Sequence, residues 1–165
     1  MRQLLLVIPA LVLVACGPTS APPPAAPAGA PMTTGMMGGM SATAAGDVGA
    51  LTINADGLGF GDAEGGETFF VRTEFLGVVD AATPVREGGD SFATLASNAN
   101  ATRVELRRIV GAPPAEFCGM DATHVARVSS EPLTGLQLLV FTGAEAPGPQ
   151  VRDSAICSIY AYAVD

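Results

Sequence analysis

The feature that most constrains this chain is a two-residue apolar period that recurs between sharp turn signals over its last 116 residues. In the stretch 68–76, Phe69, Val71, Thr73 and Phe75 form one row while Arg72 and Glu74 stand on the other, the pattern of a half-buried strand. The stretch 102–110 alternates Val104 and Leu106 with Arg103, Glu105 and Arg107, and 122–129 is a shorter, more polar run; both read as outer strands with one wet face. The runs 136–142 and 155–164 are apolar on both rows and rich in β-branched and aromatic residues, as in central strands. Gly and Pro clusters at 111–114, 131–135 and 143–150 separate the runs. Connections this short join antiparallel neighbours, because a parallel pair needs a crossover of about a dozen residues or more.

One helix is expected over 90–98, capped by Asp90 or Ser91, with Phe92, Leu95, Ala96 and Ala99 on one face. The fold class expected is therefore α+β: an antiparallel sheet with a C-terminal meander and one short helix. An all-β sandwich or small barrel is the alternative. Residues 50–165 suffice for a single domain with one core.

The preceding stretch, 16–49, is Pro, Ala, Gly, Ser, Thr and Met, with no charge before Asp47. It offers too little apolar surface to offset the entropy of ordering and reads as a tether. Ahead of it, Leu4 to Ala15 is an apolar run of twelve residues behind a single Arg2, closed by Leu13-Val14-Ala15-Cys16. Twelve residues fall short of the ~20 that span a bilayer. This arrangement resembles the lipobox of a bacterial lipoprotein signal peptide. The resemblance implies removal of residues 1–15, a diacylglycerol thioether on Cys16 and a third acyl chain on its amine. Two or three chains hold far better than one. Gly17 rather than Asp after the cysteine implies the periplasmic face of the outer membrane, with the membrane as partner through the acyl chains.

Charge narrows the other partners. The chain carries 16 acidic residues against 8 arginines and no lysine, and 47–100 holds nine acids and two arginines. Nucleic acid, which is bound by clustered Lys and Arg, is excluded as an expected partner. The one basic group, Arg103, Arg107 and Arg108, encloses Glu105 and reads as a solvated strand face.

With Cys16 lipidated, Cys118 and Cys157 remain, and an even pair in an oxidising compartment is expected to form a disulfide closing 40 residues. Four further constellations bear on chemistry. Gly89-Asp90-Ser91-Phe92 and Asp121-Ala122-Thr123-His124 resemble the Ser and His blocks of GDSL-type esterases, which implies Ser91 as nucleophile, His124 as base and Asp121 as its orienting carboxylate. Only 33 residues separate Ser91 from His124, however, and a charged turn rather than a buried strand precedes the serine. Met32, Met36, Met37 and Met40 could offer thioethers to Cu(I), and Cys118, Met120 and His124 a second soft set if Cys118 is unbridged. Asp56, Asp62, Glu64 and Glu67 lack the donor order of a calcium loop and read as an acidic solvated loop. No catalytic residue, metal ligand or cofactor is assigned. The expectation is a lipid-anchored periplasmic protein with a non-enzymatic binding or envelope-assembly role, partnered by an envelope protein; copper binding by the tether and a minor hydrolase are the alternatives.

Overall fold

A computed structural model describes residues 48–62, 66–119 and 121–163, the backbone of 35–39, and Gly29 and Pro31. Seven strands, β2 (Ala50–Ile53), β3 (Gly57–Gly61), β4 (Glu67–Asp80), β5 (Arg103–Ile109), β6 (His124–Ser129), β7 (Gly135–Thr142) and β8 (Ala155–Ala163), run as one antiparallel meander. Strand β1 (Gly35–Gly39) pairs with both β2 and β8 and closes the barrel. It lies within the stretch read as tether, and Val48 from the end of that stretch is buried in the core. The antiparallel sheet and single short helix expected from the sequence are present. The α+β class is not: the one helix among the described residues, α1 (Phe92–Leu95), spans four residues, and the architecture is the small-barrel alternative.

The helix is shorter than the expected 90–98 because both ends are fixed locally. Ser91 caps it by accepting from Thr94 N. At the other end Ser97 takes φ 51°, with Ser97 N donating to Thr94 O and Asn98 N to Ala93 O, a Schellman closure built on a non-glycine residue.

The 81–102 insert that carries α1 packs across the outside of the barrel. Ala81, Val85, Phe92 and Ala96 cover the outward row of β5, β6 and β7, formed by Val104, Leu106, Ala126, Val128, Leu139 and Phe141. Phe92 meets Phe141 edge-on at 6.1 Å between ring centres. This layer overturns the expectation that β5 and β6 each expose one face. Their apolar row faces outward under the insert, so the charged row of β5 is turned into the barrel, and β6 is buried along its whole length. Strand β7 is buried on both faces as expected, but β8 exposes its row of Ala155, Cys157 and Ile159.

Strand β3 replaces part of the expected acidic loop. Its Leu58 and Phe60 point into the core, while Gly57 lies so close to the Phe70 ring and the Val71 carbonyl that a Cβ there would collide with both. Inside the barrel, one end is filled by aromatic rings: Phe60 stacks on Phe69 (4.9 Å) and packs against Phe117 (5.0 Å), which stacks on Tyr160 (5.9 Å). Phe117 belongs to the loop that carries Cys118.

Candidate functional site

The other half of the interior carries the polar groups, set beside Leu136 and Leu138 of β7. Antiparallel register places Glu105 of β5 opposite Arg127 of β6, and Arg103 opposite Ser129. Glu105, Arg107 and Arg127 are all fully buried. The Glu105 carboxylate divides between two guanidinium groups, with Oε1 accepting from Arg107 Nη1 and Oε2 from Arg127 Nη2, each at 2.8 Å. Every guanidinium nitrogen of Arg107 has an acceptor, since its Nε donates to Thr73 Oγ1 and its Nη2 to the Ala55 carbonyl, both at 2.6 Å. Arg127 differs: among the described residues its buried Nε and Nη1 have no hydrogen-bond partner, and neither has the Tyr162 hydroxyl. Burial pulls the Arg127 guanidinium down to about 10, with Glu105 opposing the shift and Arg107 adding to it. Burial likewise pushes the Tyr162 phenol up, Tyr160 adding to the effect.

At the same end, where the β6–β7 turn lies, a cleft of about 520 Å³ opens beside the barrel. It is walled by Ser97, Asn98 and Asn100 from the insert, Ser130 and Thr134 from the turn, Gln137 of β7 and Tyr162 of β8, and among the described residues no charged side chain lines it. Asn98 Nδ2 donates to Gln137 Oε1 at 2.8 Å while Asn98 Oδ1 accepts from Asn100 N, which fixes both amide groups and turns Gln137 Nε2 to other partners. The left-handed Ser97 sets the path of this wall.

No known protein family, curated protein or solved structure matches this chain. Its chemistry therefore has to be read from its own residues.

The residues singled out in the sequence fall in several places. Cys118 and Cys157 stand at disulfide distance, their Cα atoms 5.8 Å apart, with Cys157 at a register shift between β7 and β8. Ser91 and His124 are not hydrogen-bonded to each other. The Ser91 hydroxyl is engaged with Thr94, whereas His124 Nδ1 meets Thr123 Oγ1. Burial lowers the His124 imidazole, and Arg108 adds to the shift. Asp121 lies in the exposed turn before β6. Asp62 binds the Gly66 amide across the β3–β4 turn through Oδ1 at 2.7 Å. Among the described residues no group of three His, Cys, Asp or Glu converges as metal ligands. Cys16, Met32, Met40, Glu64 and Met120 lie outside the described residues, and Met36 and Met37 are placed by their backbone in β1.

The basic group splits. Arg107 is inside the barrel and Arg103 half-buried at its polar end, while Arg108 is exposed and paired with Glu74. The solvated-face reading thus holds for Arg108 alone. Arg127 and Gln137 carry no such signal in the sequence: Arg127 stands in a strand that also holds His124 and Ser129, Gln137 in a largely apolar one, and only the register shows what faces each.

Proposed function

We propose that the chain is a lipid-anchored protein on the periplasmic face of the outer membrane, acting by binding rather than by catalysis, with the cleft beside the barrel as its contact surface. The lipobox-like run ending at Cys16 supports the anchor. The observation that carries the binding role is the cleft lining, which offers oriented amides and hydroxyls and, among the described residues, no charge. Neutral hydrogen-bonding groups held in place match a neutral, hydroxyl-rich ligand, the chemistry of envelope glycans, because each donor or acceptor they present has a counterpart on a sugar hydroxyl or acetamido group.

Palmitate labelling tests the anchor. Cys16→Ser is expected to abolish labelling and to leave an uncleaved precursor; a variant that still labels and partitions into detergent like wild type overturns it. The cleft is tested by titrating N-acetylglucosamine oligomers into the full-length lipidated protein in detergent micelles. Saturable binding is expected, weakened about tenfold by Gln137→Leu or Asn100→Ala, the loss of roughly one hydrogen bond. Absence of binding, or binding by both variants as tight as that of wild type, overturns the cleft reading.

A further inference from the structure

A closed eight-stranded barrel is just wide enough to be filled by side chains or to hold one small ligand. In this barrel the two halves are used differently. The aromatic half is packed by Phe60, Phe69, Phe117 and Tyr160. The polar half holds two guanidinium groups, Arg107 and Arg127, against one carboxylate, Glu105, all removed from water. Each carboxylate oxygen accepts from one arginine, so among the described residues this cluster sets two guanidinium groups against one carboxylate.

The surplus is concentrated on Arg127. Arginine keeps its proton in proteins, so the site cannot neutralise itself as a buried lysine or carboxylate would. An isolated buried cation is costly unless it is paired and its donors are satisfied. Arg127 gives one hydrogen bond to Glu105 and holds two further donor nitrogens, Nε and Nη1, with no partner among the described residues. The Tyr162 hydroxyl, on the row of β8 that faces the same end, is a third buried group without one. A guanidinium with unused donors and uncompensated charge, at the polar end of a closed barrel, is the arrangement an anion would complete.

We propose that the polar half of the barrel interior is a binding site for one small oxyanion, a carboxylate or phosphate group, held by Arg127. The exterior of the chain is strongly acidic, with a net charge of −8, so long-range attraction does not draw the ligand in; the recognition is made by desolvated contacts inside. Binding there is screened by salt much less than binding to an exposed arginine.

The test is calorimetric titration of the full-length lipidated protein, in detergent micelles and chloride buffer, with acetate and with inorganic phosphate as separate arms. At least one oxyanion is expected to give a saturable isotherm and to raise the melting temperature, with an affinity little changed between low and high sodium chloride. Which arm responds distinguishes a carboxylate from a phosphate ligand. Arg127→Gln is expected to weaken binding by about tenfold to a hundredfold, the loss of a charged hydrogen-bonding partner. Arg127→Lys keeps the charge without the planar donor array and is expected to bind less tightly than wild type but better than Arg127→Gln. Arg108→Gln, at an exposed pair, is expected to leave the isotherm unchanged. If neither oxyanion binds saturably to the wild-type protein, the unused donors are met by water and the proposal fails. Equal loss in Arg127→Gln and Arg108→Gln, or steep weakening by salt, means an adventitious ion only and also overturns it. Should Arg127→Gln not fold, the wild-type isotherms and Arg127→Lys still decide the question. Gln137→Leu, in the cleft outside the barrel, is expected to leave oxyanion binding intact, which keeps this outcome separate from that of the cleft.

Discussion

Glu105→Leu is expected to destabilise the barrel by about 3–5 kcal/mol, the cost of leaving a buried ion pair half broken. In this protein the loss strikes two cations at once, since Glu105 is the shared partner of Arg107 and Arg127 and all three are buried. A domain typically has only about 5–15 kcal/mol in total, so the variant should be marginal, with its urea midpoint far below that of wild type. The exposed pair provides the contrast: Glu74→Ala, which removes the partner of Arg108 at the surface, should cost less than about 1 kcal/mol. Replacing the whole set, Glu105→Leu with Arg107→Leu and Arg127→Met, should recover much of the loss, because buried ionic networks exchanged for apolar groups of similar volume are often neutral or stabilising. Equal urea midpoints for Glu105→Leu and Glu74→Ala would show that the interior cluster is solvated and not closed off as its burial indicates.

That cluster also marks the limit of what the sequence reveals. The alternation in 102–110 and 122–129 identifies strands, because period two is a local property of the chain. Which row turns inward is not local. It depends on what covers the outside, and the cover comes from the 81–102 insert, whose Ala81, Val85 and Phe92 make the apolar row of β5 and β6 the outer one. Reading Arg103 and Arg107 as solvated assumed an uncovered outer face. The glycine-rich strands are hidden for a different reason. In Gly57-Leu58-Gly59-Phe60-Gly61 the glycines look like turn residues, yet they serve close approach to Phe70 and Glu67 while Leu58 and Phe60 build the core. The helix was overextended because the apolar spacing continues to Ala99, whereas Ser97 adopts a left-handed conformation that few non-glycine residues take. The cysteine pair is legible because, once Cys16 is set aside in its lipobox-like run, Cys118 and Cys157 are left with one partner each. The cleft was not, since Asn98, Ser130 and Gln137 are unremarkable until the fold brings three separate segments together.

The double variant Cys118→Ala, Cys157→Ala is expected to lose about 4 kcal/mol, the chain-entropy value for a closed loop of this size, from a pair separated by 39 positions. The structure gives the link a mechanical role as well. Cys118 directly follows Phe117, whose ring is fully buried and joins Phe60 to Tyr160 at the aromatic end of the barrel, and Cys157 sits on β8, three residues before Tyr160. The link therefore ties the loop that supplies one ring to the strand that supplies its stacking partner. Phe117→Ala alone should cost about 3–5 kcal/mol through the cavity it leaves. If the disulfide acts partly by holding Phe117 in place, the triple variant should lose clearly less than the two effects combined, since groups in one contact network are not additive. Urea unfolding of the four proteins under oxidising conditions, with non-reducing peptide mapping of the wild type, measures both the link and the coupling. Strict additivity would confine the effect of the disulfide to the unfolded state, and two freely alkylated thiols in the native protein would remove it altogether.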